Sequence, residues 1–239
     1  MGHVHEKPSE AQPRRRPLNR ERVQAAAVEV ADRDGLKAVT MRSVGALLGV
    51  EAMALYRHVS GKNDLLDSLA EVVIGEINDA CAALPAPPDP AAWRARLRAR
   101  ILTARATLLK HPWAPALIGS HGTMGPAFLR YIDEFGAILA DGGFTLDTIH
   151  HALHAFGPRA LGFSPELFQP GAPAVEEMGD DEEAALAELA ALADEYPFVA
   201  RLTEHLAHEA STTLGWCDDQ DEFEFGLDVM LDGLEGRRG

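Results

Sequence analysis

No stretch of this chain alternates apolar and polar residues with period two for long enough to build a sheet. Apolar residues recur instead at three- and four-residue spacing, in segments broken by glycine and proline. The expected fold class is therefore all-α. "LNRERVQAAAVEVADRDG" opens with Asn19 as an N-cap, lines up Val23, Ala26, Ala27 and Val30, and stops at Gly35. Thr40 caps a short second helix, "MRSVGALLG", and "EAMALYRHV" makes a third. Ser60 is the expected cap of a long fourth helix, "NDLLDSLAEVVIGEINDACAAL", which the prolines of "PAPPDP" end. Trp93, Leu97, Ile101 and Leu108 then share one face of the next helix. Further helices are expected in "TMGPAFLRYIDEFGAILADGG", "TLDTIHHALHAFGPRALG", around 182–193, around 198–211, and in "DEFEFGLDVMLDGLEG". Residues 164–181, rich in proline, glycine and acid, are expected to be a mobile loop.

At 239 residues and 46% hydrophobic, the chain can bury a sizeable core in one or two domains. Its formal net charge of -15 is uneven: residues 1–62 carry +4 and the remainder -19. A basic head on an acidic body suits a protein that meets phosphate with one end only. Two cysteines, Cys81 and Cys217, cannot build a disulfide framework, which points to a reducing compartment. No apolar run has signal-peptide or membrane-spanning length, so a cytoplasmic, bacterial protein without a membrane partner is expected.

Residues 40–62 hold a single carboxylate, Glu51. Two short apolar segments meet there at Gly49-Val50, the pattern of a helix-turn-helix. Gly49 suits the turn because a positive φ costs glycine little. Leu47, Leu48, Val50 and Leu55 are expected to pin the helices together, leaving Ala52, Met53, Tyr56, Arg57 and His58 on or beside the outer face. Such a face can enter a major groove and reach base edges and phosphates. Lys62 follows where a helix N-terminus could also meet a phosphate.

"GLKAVTMRSVGALLGVEAMALYRHVSGKNDLLDSLAEVV" closely resembles the DNA-binding domain of the tetracycline-repressor (TetR) family. The matching residues are Gly35, Thr40, Val44, Leu48, Gly49, Val50, Leu55, Tyr56, His58, Val59, Lys62, Leu65 and Leu66. The family's usual alanine before the turn falls at Gly45 or Ala46, a departure. The resemblance implies a DNA-binding regulator, not an enzyme, with no cofactor. It places Thr40 and Arg42 against phosphate or base edges, Ala52 and Met53 against bases, and Tyr56, His58 and Lys62 along the backbone. Ala52 and Met53 suit thymine methyl groups, and Arg42 a guanine. Arg57 replaces an aromatic residue found in the tetracycline-binding members.

"GFTLDTIHHALHAFGPRALG" and "FEFGLDVMLDGLEG" resemble the C-terminal domain of the tetracycline-repressor subgroup. The expected organisation is a flexible basic arm over 1–17 around Arg14-Arg15-Arg16, a helix-turn-helix domain over 18–63, and an effector-binding and dimerisation domain over 64–239. The stripes Ile149, Leu153, Phe156, Ala160, Leu161 and Phe223, Leu227, Met230, Leu231, Leu234 suit helix pairing. In the family, these helices pair across a two-fold axis. The dimer-interface expectation is therefore Ile149, Leu153, Phe156, Leu227, Met230, Leu231 and Leu234. Two heads about 34–36 Å apart then read a palindromic operator in double-stranded DNA.

The family's effector cavity maps onto Arg100, Ala104, Ile118, Ile132, Phe135, His150 and His154. Arg100 and Ala104 replace tetracycline-holding residues, Ile118 or Gly119 a metal-binding histidine, and Pro158 a further pocket histidine. A small-molecule effector other than the magnesium–tetracycline chelate is implied. Arg100 can face an acidic ligand or a neighbouring carboxylate. The rival reading is an all-α metal-dependent enzyme or metal-binding protein using His150 and His154, spaced i, i+4, with His151, His121 and Asp147 nearby. No phosphate-binding glycine loop, nucleophile elbow or His-Glu-x-x-His motif supports it. His205 and His208 read as solvated helix-face residues, and Pro158 as a kink.

Overall fold

The computed structural model describes residues 17–85, 89, 92–121, 125–163, 196–198, 201 and 220–238. Among these there is no strand. The helices are α1 (Arg20–Asp34), α2 (Met41–Leu48), α3 (Ala52–Leu55), α4 (Lys62–Ala82), α5 (Trp93–Leu108), α6 (Ala114–His121), α7 (Pro126–Asp141), α8 (Leu146–Phe156) and α9 (Gln220–Glu235). Short 3-10 turns cover Leu36–Ala38 and Gly157–Leu161. The all-α expectation holds. Nearly all of the expected arm, the loop at 164–181, the helices around 182–193 and most of 198–211, and Cys217 lie outside the described residues.

The chain divides into two compact units, Met1–Leu65 and Leu66–Gly239. In the first, Asn19 caps α1, its side chain accepting from the Arg22 N–H at 3.0 Å. Val23, Ala26, Ala27 and Val30 are buried, as the stripe predicts. Thr40 and Ser43 form a reciprocal capping box at the start of α2. Gly49 ends α2 in the left-handed region at φ 66°. Val44, Leu55 and Val59 complete the core, whereas Leu47, expected to pin the helices, is exposed. Gly45 explains the departure before the turn. A Cβ there would sit 2.9 Å from the Val50 carbonyl oxygen, so its absence lets the start of α3 close onto α2.

Two expectations for this unit are corrected. α3 is a single turn that ends at Leu55, because the chain tightens there: the His58 and Val59 N–H groups both donate to the Leu55 carbonyl, at 2.8 and 3.1 Å. Ser60 does not cap α4, which begins at Lys62. The carboxylate of Asp64 instead reaches back and accepts from the Ser60 N–H at 2.7 Å.

In the second unit α5 is the central element. Trp93, Leu97 and Ile101 join one apolar cluster with Phe135, Ile149, Phe156, Phe223, Leu227 and Leu231. Ala104 and Leu108 join another with Val73, Ile74, Ile77 and Tyr131. Between these faces, arginines tie α5 to its neighbours. Arg98 Nε donates to Asp228 at 2.9 Å and its NH2 to Glu224, while Arg94 pairs with Asp232 at 2.7 Å. Trp93 Nε1 donates to Glu235 at 3.0 Å, and Arg96 to Asp141 at 2.8 Å. α6 was not foreseen; Ile118, assigned to the effector cavity, lies within it. α8 stops at Phe156, one residue before Gly157-Pro158, so Ala160 and Leu161 belong to the following 3-10 turn and not to the helix.

Gly45→Ala would force the Val50 carbonyl to move. We expect it to cost about 1–2 kcal/mol in urea unfolding, in the range of overpacked cores, although it restores the residue usual in this motif.

Candidate functional site

Two sets of residues carry the functional expectation, one in each unit. In the first, Arg42 is exposed on the first turn of α2. Thr40 is exposed as well, with its hydroxyl accepting from the Ser43 N–H at 3.0 Å. Met53 is 75% exposed and Tyr56 49%, large apolar surfaces that water does not favour. Ala52 is half-buried, Arg57 exposed and His58 half-buried. Tyr56, Arg57 and His58 lie in the turn after α3 and not on it, contrary to the sequence reading. Lys62 is exposed as the first residue of α4. Arg42, Arg57 and Lys62 face solvent with Glu51 the one carboxylate between residues 40 and 62.

Behind this face is a contact that sequence reasoning missed. Arg20, the first residue of α1, donates to both Asp64 oxygens, at 2.7 and 3.4 Å, and to the His58 carbonyl at 2.9 Å. The Arg20 guanidinium, with the Ser60 N–H, holds the Asp64 carboxyl down at about 2. Its sequence signal was the acidic residue in the first turn of α4, which a helix N-terminus favours.

In the second unit the structure brings together Arg100, Ala104, Ile118 and Ile132. Ala104 lies in the apolar cluster of α4, α5 and α7, with Ile118 and Ile132 packed against it. Arg100 is only 5% exposed. Its guanidinium lies 4.2 Å from the Tyr131 ring centroid. It donates to Glu134 at 2.6 Å, to the Tyr131 carbonyl at 3.3 Å and to Asn78 Oδ1 at 3.4 Å. Of the two partners foreseen for Arg100, the structure shows the neighbouring carboxylate. Glu134 also accepts from Arg130 Nε at 2.9 Å. Burial pushes the Glu134 pKa up, but the bonds from Arg130 and Arg100 outweigh it and hold the carboxyl below its ordinary range. Burial drives the Tyr131 phenol upward, and its hydroxyl donates to the Ala160 carbonyl.

Sequence reasoning also missed Asn78, which interrupts the apolar run Ile74, Ile77, Cys81 on α4 and donates to the Ala127 carbonyl at 2.8 Å. An amide in an otherwise apolar stripe was the available signal. Glu71, two turns earlier on α4, accepts from the Ala127 N–H at 3.0 Å.

The remaining effector residues are not part of this grouping. Phe135 belongs to the other cluster, edge-on to Phe156 at 5.6 Å between centroids. His150 and His154 are exposed on α8, their rings 4.6 Å apart. With Ile149, Ala152 and Phe156 pointing inward, the helical repeat turns both histidines to solvent. Among the described residues, no three metal-ligating side chains converge. Of the expected dimer residues, Leu227 and Leu231 are fully buried in the chain's own core, Ile149 nearly so, and Leu153 and Met230 are partly exposed, while Phe156, Met230 and Leu234 line a groove on α8 and α9. Large apolar side chains exposed on α8 and α9 are Leu146, Phe225 and Val229. The groove has a volume of about 490 Å³, and Thr148, His151, Ala152, Ala155, Gly233 and Arg237 complete its lining.

Comparison with known proteins places both units. Residues 24–69 match the family of bacterial regulatory proteins named for tetR, and residues 84–238 match the tetracyclin repressor-like C-terminal domain. The chain belongs to the TetR family of bacterial transcriptional regulators. The HTH-type transcriptional repressor DrrR1 of Streptomyces coeruleorubidus is 31% identical over 223 residues, covering 91% of this chain and 77% of that one. The class D tetracycline repressor of Escherichia coli is 32% identical over 141 residues, 56% of this chain and 62% of the repressor. A possible TetR family transcriptional regulator from Streptomyces coelicolor A3(2) superposes with a TM-score of 0.67 at 29% identity, covering 91% of this chain and 99% of that one. ActR from the same species, solved with actinorhodin, has this fold too, with a TM-score of 0.66 at 20% identity over 93% and 98% of the two chains.

Glu134→Ala strands the buried Arg100 cation, whereas Arg130→Ala removes only a half-exposed partner. We expect losses of about 3 kcal/mol for the first and under about 1 kcal/mol for the second, read from denaturant midpoints.

Proposed function

We propose that this chain is a cytoplasmic, ligand-responsive repressor. Two copies hold a palindromic operator, and a small-molecule effector taken up in the second unit releases them. The observation that carries this reading is the exposed face of residues 40–62: cationic, tipped by Met53 and Tyr56, on a helix-turn-helix of the TetR family. A single-turn α3 reads few base pairs, so specificity calls for a second copy. Leu146, Phe225 and Val229 are the surface we assign to that pairing.

For the effector, the grouping around Arg100, Ala104, Ile118 and Ile132 is the proposed receiver. Tetracycline repressors are among the relatives, and ActR is seen with actinorhodin. Arg100 would repel a magnesium–tetracycline chelate, so a different organic effector is the better fit. Release needs the effector to prefer the detached state; moving from 1:99 to 99:1 takes about 5.5 kcal/mol of preference. A metal-dependent enzyme using His150 and His154 has less support, because the pair stands exposed and outside this grouping.

The test is selection of duplexes from a random-sequence library with the full-length protein. An inverted repeat should emerge, bound more weakly as salt rises. Arg42→Ala should weaken that duplex by about 1–3 kcal/mol and relax preference at one base pair. Failure to enrich any inverted repeat would refute the reading. Phe225→Asp should convert a dimer to monomers in sedimentation and reduce operator binding with it. A variant that stays dimeric would move the pairing surface elsewhere.

A further inference from the structure

Arg20 is a residue that neither the motif nor the expected DNA contacts include, yet three parts of the first unit meet on it. It opens α1, and its guanidinium bonds to Asp64 in the first turn of α4 and to the His58 carbonyl in the turn after α3. Asp64 completes the loop by accepting from the Ser60 N–H at 2.7 Å and the Ser60 hydroxyl at 3.1 Å. The segment 56–61 that these bonds hold is not helical. Its geometry therefore depends on side chains that bind its backbone from outside.

We infer that Arg20 and Asp64 form a positioning clamp that fixes the 56–62 segment for DNA, with neither residue contributing as a phosphate contact. The inference rests on the DNA-binding reading above. It makes a prediction that runs against simple electrostatics. Asp64 is two residues from Lys62 and carries a charge that repels phosphate, so a purely Coulombic view has its removal tightening DNA binding. The clamp requires the reverse. With an amide in place of the carboxylate one oxygen is left to accept for both Arg20 and Ser60, the bidentate pairing is lost, and Tyr56, His58 and Lys62 lose their fixed spacing.

The experiment uses the full-length protein and a duplex it selects from a random-sequence library, with affinity measured across a salt series. Asp64→Asn should weaken binding at least fivefold at fixed salt. Arg20→Ala should do the same, and the double variant should be little worse than either single one, as expected of residues acting as a unit. The slope of log affinity against log salt should stay at the wild-type value in all three. Arg20→Lys, which keeps the charge and the fold but not the fork, should fall between wild type and Arg20→Ala. If Asp64→Asn binds as tightly as wild type or tighter, the clamp is refuted. A salt slope shallower by about 1 in Arg20→Ala, with Asp64→Asn neutral, would make Arg20 a phosphate contact and also refute it. Should Asp64→Asn lose its helical circular dichroism, Arg20→Lys decides alone: full affinity overturns the clamp, and loss at unchanged slope supports it. If the wild-type protein selects no duplex at all, the DNA-binding reading fails, a result distinct from any of these.

Discussion

A buried cation sets the terms for the second unit. Arg100 is almost sealed from water, and a guanidinium cannot escape burial by giving up its proton. It must be met where it lies, and it is met from two helices: Glu134 and the Tyr131 carbonyl on α7, and Asn78 on α4. That requirement fixes the register of α4 and α7 against α5 more tightly than apolar packing could, because hydrogen bonds have direction and contacts between methyl groups do not. The same logic continues around α5, where Arg94 and Arg98 find Asp232, Asp228 and Glu224 on α9. Part of the acidity of this unit is therefore structural, the counterpart of an arginine-rich helix, and not only a device for solubility.

The polar bonds along α4 bear on how an effector could act. Glu71 and Asn78 are seven residues apart, hence on one face, and both grip Ala127 in the first turn of α7, through its N–H and its carbonyl. A helix held only by apolar contacts can slide in small steps. One held by directional bonds to a single residue tends to have discrete positions, which a two-state switch needs. Each such bond contributes about 0.5–1.5 kcal/mol net, and somewhat more where a charge takes part. A few of them made or broken together amount to several kcal/mol, the scale on which an effector must discriminate between states.

Much of this was legible in the sequence, and what was not has identifiable reasons. The all-α class, the caps at Asn19 and Thr40, and the Gly49 turn follow from local chemistry and could be read residue by residue. The apolar stripes were read correctly as stripes, but parts of them assigned to a dimer surface are taken up inside the chain. Periodicity shows which face of a helix is apolar but not which part of it the chain's own core consumes, and Leu227 and Leu231 are entirely consumed. His150 and His154 were assigned to the effector site by the family resemblance, but the inward run Ile149, Ala152, Phe156 turns both to solvent. Arg20–Asp64 and Arg100–Glu134 join residues 44 and 34 apart in the chain, and although one sequence offers an acid in the first turn of α4 and a carboxylate for Arg100, it does not say which residue pairs with which. Asn78 was the exception, since an amide inside an apolar run announces a buried partner.

The shortness of α3 connects these points to recognition. Isolated helices below about 12–15 residues are marginal in water, and α3 is a single turn of four. It cannot hold its own direction. α2 supplies part of that direction through the close approach that Gly45 permits, and the core supplies another through buried Leu55 and Val59. The residues that would touch DNA thus stand on a frame built by residues that would not. A reading surface of this kind is sensitive to changes well away from any base. For the same reason, the proposed base contacts of Ala52 and Met53, which offer no strong hydrogen bond, depend on the frame, because a methyl contact is informative only when the backbone beneath it is held in one place.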